Sequence, residues 1–138
     1  LTGTFLCTHL VIEEMLAAKW GRIVNIASVA GLYGAPYISA YAASKHGIMG
    51  LTRSLSAELA NSGVTANAIC PGYTETEMMQ RAIANIVKHT GASESAARAE
   101  LAKSNAGGRI VTAEEVAGAV VALCESDRNG AEIVLPSL

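Results

Sequence analysis

Tyr41 and Lys45 stand four residues apart, slightly more than one helical turn, so a helix places both side chains on one face. An ammonium group held beside a phenol favours the phenolate. A tyrosine tuned in this way exchanges a proton with a hydroxyl or carbonyl oxygen. Ser28 ends a short β-branched run upstream of that pair, where its hydroxyl can hydrogen-bond the same reacting oxygen. Taken alone, Tyr-x-x-x-Lys is a common surface pairing. The conjunction carries the reading: a strand-ending serine, a loop with Gly31, Gly34 and Pro36, the tyrosine–lysine helix, and a second strand broken by Pro71-Gly72, in that order.

The elements that position these groups follow from periodicity. Residues 2–19 space Phe5, Leu6, Leu10, Ile12 and Leu16 as an amphipathic helix, with Glu13, Glu14 and Lys19 toward water and Gly21 in the left-handed cap position. Residues 22–28 are short and mostly apolar, as in a parallel strand buried on both faces. A helix over about 39–61 carries the stripe Ile48, Leu51, Leu55 and Leu59, and a second face of Ala42, Met49, Ala57 and Ala60 suits a partner. Residues 64–70 form a second buried strand. Residues 74–104 are loosely helical, with Met78, Met79, Ile83, Ile86 and Val87 on a weak stripe. Thr112 and Glu115 have capping-box spacing and open a helix through Leu123, followed by a turn at 127–130 and a strand at 131–135. Strands alternating with helices imply an α/β fold with a mostly parallel sheet and right-handed crossovers. Ligands of such sheets bind beyond the carboxyl ends of the strands, which here means the loops after Ser28 and at Pro71-Gly72.

Composition narrows the classes. A chain of 138 residues, 51% hydrophobic and 16% charged, has the apolar content of one folded domain rather than of a disordered segment. Ten Lys and Arg against twelve Asp and Glu give no basic surplus for nucleic acid. No apolar run approaches the roughly 18–20 residues of a membrane helix, and no secretory signal is visible. Cys7, Cys70 and Cys124 are odd in number and far apart, which predicts free buried thiols in a reducing, cytoplasmic setting and no metal site. His9, His46 and His89 have no metal-like spacing.

Gly21-Arg-Ile-Val-Asn-Ile-Ala-Ser28, Tyr41-Ala-Ala-Ser-Lys45 and Asn67-Ala-Ile-Cys-Pro-Gly72 together resemble the short-chain dehydrogenase/reductase family, over essentially the whole chain. The resemblance implies the second half of a Rossmann-like doubly wound parallel sheet, and an NAD(P)-dependent oxidoreductase that interconverts a secondary alcohol and a ketone. It makes Tyr41 the catalytic acid/base and a cofactor contact, and Lys45 its partner and a ligand of the nicotinamide ribose. Ser28 becomes the residue that orients the substrate and stabilises charge on its oxygen. It places Pro71 and Gly72 as the turn against the nicotinamide of NAD or NADP, the Thr74 backbone at the carboxamide, and Thr76 at a cofactor-contacting threonine. It also implies a substrate lid at about 73–105, with Tyr73, Met78 and Met79 in it and Tyr33 and Tyr37 as pocket walls. A homodimer or homotetramer through the helices 2–19 and 39–61 follows from the same likeness.

The chain departs from the family pattern in several places. Nothing matches the Gly-rich phosphate loop Thr-Gly-x-x-x-Gly-x-Gly, since neither Thr2-Gly3 nor Thr90-Gly91 has the following glycines. The Asn-Asn-Ala-Gly motif is absent, Asn25 is a strand asparagine that does not replace the catalytic one, and Thr74 stands where Val or Ile is commoner. The expectation is a piece of a longer protein without the first half of its dinucleotide domain, weak in cofactor binding and turnover by itself. A different class of function, a non-catalytic or regulatory dinucleotide-binding relative, would leave the Ser–Tyr–Lys set without a task.

Overall fold

The computed structural model describes residues 1–136; Ser137 and Leu138, the end of the stretch assigned above to the domain, lie outside them. Thr2–Ala18 forms α1, Gly21–Ile26 β1, Ser39–Glu58 α2, Val64–Pro71 β2, Glu77–Thr90 α3, Glu94–Lys103 α4, Ala113–Cys124 α5 and Glu132–Leu135 β3, with short 3-10 turns at Val29–Gly31 and Ala106–Gly108. The three strands are parallel in the order β1-β2-β3, an α/β arrangement with Ile23 beside Ala66 and Ile69 beside Ile133. Every residue of the central β2 is buried, as a parallel strand covered on both faces requires.

Alternation along the strands sorts the two faces. Ile23, Val64 and Ala66 join Leu55 of α2 and Leu59 at its C-cap, with Ile12 and Met15 of α1 packed alongside. Nearer the carboxyl ends, Ala27, Ala68 and Cys70 close on Ile48 and Met49. Helix α5 lies over β1 and β2. Since α1 and α2 already cover one face, α5 takes the other. Both strand-to-strand connections step the same way across the sheet but over opposite faces, so they have opposite hands. The expectation of uniformly right-handed crossovers is therefore corrected. That rule applies to a helix fed directly by its strand, whereas the second connection runs through α3 and α4 before reaching α5.

The buried Asn67 joins β2 to the approach of β3: its Nδ2 donates to the Arg128 carbonyl at 2.8 Å and its Oδ1 accepts from Ala131 N–H at 2.8 Å. Asn129 Oδ1 accepts from Ala66 N–H at 3.0 Å.

Four further details differ from the sequence expectations. Lys19, not Gly21, takes the left-handed cap of α1, with φ 53°. Gly21 begins β1, where a Cβ would come within 2.6 Å of Met15 Sδ, so the glycine serves helix–strand contact. The apolar residues of α1 do not form one inward stripe: Thr8, Ile12 and Met15 face the core while Phe5, Leu6, Leu10 and Leu16 remain exposed. In α2, Ala42 and Met49 belong to the core side, leaving Ala57 outward, as is Ala60 in the turn that follows the helix. Of the cysteines, Cys70 alone is buried; Cys7 and Cys124 are exposed.

The loosely helical stretch resolves into a helical hairpin. Gly91, at φ 71°, ends α3, and Ser93 accepts from Ala96 N–H to cap α4. Met79, Ile83, Ala97 and Leu101 give the hairpin its own small core.

The capping box of α5 is present, with Thr112 Oγ1 accepting from Glu115 N–H and Glu115 accepting from Thr112 N–H. Arg109 pairs with the same carboxylate at 2.6 Å. The Arg109 guanidinium, followed by the Thr112 backbone bond, holds the Glu115 carboxyl down at about 2. A carboxyl whose folded value is depressed stabilises above its unfolded value, and that contribution fades as pH falls toward the folded one. Urea midpoints measured from pH 5 to pH 2 should therefore fall less steeply in Glu115→Gln than in the parent protein.

Candidate active site

The ends of β1 and β2 build the site. β1 stops at Ile26, and Ser28, extended at φ −176°, begins the 3-10 turn Val29–Gly31 by accepting from Ala30 N–H at 3.1 Å. Its hydroxyl, in a residue only 8% exposed, points across the sheet end and donates to the Pro71 carbonyl at 3.4 Å. The 3-10 turn sits directly on α2. A Cβ at Gly31 would fall 2.8 Å from the Lys45 carbonyl oxygen, a distance no alanine could keep. Thus the serine loop and the lysine turn of α2 are pressed together by a missing side chain.

On α2 the Lys45 ammonium lies over the Tyr41 ring, 5.7 Å from its centroid, within the range of a cation–π contact. The same ammonium donates to the Ile26 carbonyl at 2.9 Å. Lysine carries three N–H donors, and this bond takes one of them. Tyr41 is 39% exposed, so the phenol faces open space while Ser28 does not. Contacts therefore run without a gap from Tyr41 to Lys45, from Lys45 to the end of β1, and from Ser28 to the end of β2.

Beyond β2, Pro71 closes the strand and Gly72 N–H still donates to the Leu135 carbonyl at 2.7 Å. Thr74 pairs with Val111 in an isolated parallel bridge. Glu75 N–H donates to the Val111 carbonyl at 2.9 Å and Val111 N–H to the Tyr73 carbonyl at 3.0 Å. In a parallel ladder this pattern turns the bridged residue's own N–H to the other side, so the Thr74 amide faces away from Val111. Thr74 Oγ1 donates to the Gly72 carbonyl at 3.1 Å. Thr76 Oγ1 donates to the Thr74 carbonyl at 3.2 Å and accepts from Met79 N–H at 3.4 Å, which commits it as the N-cap of α3.

Other candidates separate cleanly. Tyr33 and Tyr37 are exposed at 68% and 104%. Met78 is exposed while Met79 sits in the hairpin core. Burial pushes the Cys70 thiol up, and its sulfur meets Met49 Sδ at 3.5 Å; both observations suit packing, not nucleophilic attack. Asn25 donates to Thr52 Oγ1 at 2.8 Å inside the core, a structural bond. His46 bonds the Ala42 carbonyl one turn back. Among the described residues no group of three His, Cys, Asp or Glu is placed to hold a metal ion, and no helix is long and apolar enough to cross a membrane.

Sequence reasoning missed Asn105. This side chain, 7% exposed, accepts from Tyr73 N–H at 2.7 Å and donates to the carbonyls of Tyr73 and Arg109, each at 2.8 Å. Its signal in the chain is slight: an asparagine just ahead of Gly107-Gly108, both at positive φ. Asparagine favours such turns because its amide bonds to nearby backbone.

Comparison with known proteins places this geometry. The family model for short chain dehydrogenase matches residues 1–87. The chain is 40% identical over 128 residues to D-beta-hydroxybutyrate dehydrogenase of Rhizobium meliloti, covering 92% of this chain and 50% of that protein. To a granaticin polyketide synthase putative ketoacyl reductase of Streptomyces violaceoruber it is 42% identical over 129 residues, 92% of this chain and 47% of the relative. The fold superposes on an actinorhodin polyketide ketoreductase solved with NADPH at a TM-score of 0.89 and 36% identity, covering 98% of this chain and 54% of that one. The chain spans about half the length of the curated relatives it matches. Its sheet, its strand-end loops and these matches together make it a member of the short-chain dehydrogenase family.

Proposed function

We propose that this chain is the nicotinamide side of an NAD- or NADP-dependent oxidoreductase that interconverts a secondary alcohol and a ketone. The single observation that carries the reading is the contact line from Tyr41 through Lys45 to the end of β1, with Ser28 bonded across to Pro71. Relatives named as hydroxybutyrate dehydrogenase and ketoacyl reductases, and a structural neighbour solved with NADPH, support both the reaction class and the cofactor.

The residues present suit a nicotinamide riboside. The Lys45 ammonium has donors beyond the one given to Ile26, the Thr74 amide faces away from its bridge partner, and Pro71-Gly72 forms a turn at the strand end. When bound, the nicotinamide takes up or gives the hydride. Ser28 Oγ turns its one O–H from the Pro71 carbonyl to the substrate oxygen when substrate is bound. In oxidation the hydroxyl proton passes to the Tyr41 phenolate as the C–H electron pair leaves with its hydrogen; in reduction Tyr41 returns a proton to the same oxygen. The Lys45 ammonium, with donors beyond the one given to Ile26, binds ribose hydroxyls. Thr76 acts through the start of α3, and the α3–α4 hairpin within 73–105 forms the lid over the substrate.

The exposed Phe5, Leu6, Leu10 and Leu16 on α1, with the outward Ala57 of α2 and Ala60 just past its end, support assembly as a homodimer or homotetramer. Light scattering at micromolar concentration should give two or four chains per particle, and a monomer contradicts that part.

The test of the reaction is nicotinamide absorbance of the full-length protein against hydroxy acids, hydroxyacyl thioesters and steroid alcohols, in both directions. Turnover with one class is the expected result. Dinucleotide binding without turnover across the panel would favour a regulatory relative and overturn the enzymatic reading.

A further inference from the structure

We propose that Asn105 is a positioning residue for this site: from the end of the lid it fixes the Gly72-Tyr73 backbone on which the nicotinamide side is built. The inference rests on the proposed function and names how that site is held in shape.

Tyr73 receives from Asn105 what a neighbouring strand would supply, one acceptor for its N–H at 2.7 Å and one donor for its carbonyl at 2.8 Å. The second N–H of the carboxamide goes to the Arg109 carbonyl at 2.8 Å, so both donors are used. Gly72 lies against the same side chain. A Cβ there would stand 2.2 Å from Asn105 Oδ1 and 2.8 Å from its Cγ. The glycine at this turn is therefore required by Asn105, and the ligand need not touch the place where its side chain would be. On the other side, the Pro71 carbonyl accepts from Ser28 Oγ. The turn is held between the serine loop and the residue that follows α4 and precedes the turn Ala106–Gly108. The Asn105 carboxamide is thus a direct link between the end of the hairpin and Gly72-Tyr73.

The experiment is a double-mutant cycle in the full-length protein with Gly72→Ala, Asn105→Ala and both together, reading steady-state kinetics and the melting temperature without cofactor. Asn105→Ala should raise KM for the dinucleotide about tenfold, the loss of buried polar bonds to the turn, with kcat and the alcohol KM near parent values. A purely structural role would lower kcat through the folded fraction and leave both KM values alone, which overturns the inference. Asn105→Asp keeps the acceptor but sets a carboxylate against two carbonyl oxygens, so it should be no better than Ala. Gly72→Ala should be severe alone and close to neutral when added to Asn105→Ala, in dinucleotide KM and in melting temperature. An equal Gly72→Ala penalty in both backgrounds also overturns it. A parent protein without turnover sinks the proposed function instead, a result distinct from turnover with an unchanged cycle.

Discussion

Tyr41→Phe is expected to reduce turnover by about 10²- to 10⁴-fold, the range a positioned acid/base supplies. The substitution removes one oxygen from a residue already 39% exposed, and the described residues show no protein partner bonded to that oxygen. The aromatic face under the Lys45 ammonium remains, so the 5.7 Å contact and the Lys45 bond to Ile26 have no reason to change. Melting should therefore shift by no more than a surface substitution does, within about 0.5 kcal/mol. The comparison of kcat in the two proteins isolates the phenolic proton. Parent-like kcat in the phenylalanine protein would remove Tyr41 from the chemistry and return the strand-end cluster to a packing role.

Met49→Ala carries the second large effect, on stability. Met49 is fully buried, touches Cys70 at 3.5 Å between sulfurs, and has its Cγ 3.1 Å from where a Cβ on Gly31 would lie. It thus fills the junction of α2, β2 and the 3-10 turn after Ser28. Truncating such a side chain costs about 2–5 kcal/mol, the transfer of the lost atoms plus the cavity left behind. Urea unfolding of the full-length protein should show that loss at an unchanged m-value. A cost below about 1 kcal/mol would mean that the junction collapses freely, and then the rigid coupling between the serine loop and the Tyr41–Lys45 helix would be gone as well.

What could be read in the chain and what could not divide along physical lines. The stripe Ile48, Leu51, Leu55 and Leu59, the apolar run ending at Pro71, and the Thr112–Glu115 capping box depend on residues close in sequence, and the observed elements follow them. The α/β class and the parallel pairing follow from the order of those elements. The order of Ser28, Tyr41, Lys45 and Pro71-Gly72 was legible too, and the structure sets them at neighbouring strand ends. Gly21 was misread because a glycine after a helix suits both a left-handed cap and a close helix–strand approach. Only the position of Met15 decides between them. The exposed apolar residues of α1 look like core residues in any window of sequence, since hydropathy does not say which face a helix turns inward. The opposite hand of the second connection depends on where α5 docks, and Asn105 acts on Tyr73 across the whole α3–α4 hairpin. No local pattern reports either.

Asn67 has a consequence for how the last strand is added. Side-chain period two means that a one-residue slip of β3 would turn its faces inside out. The same slip would strip both carboxamide bonds from Asn67 in a dry interior, where unmet polar groups are costly. Misalignment is thus penalised by two unrelated mechanisms at once, so a four-residue strand with modest burial of its own can find a single address on the sheet.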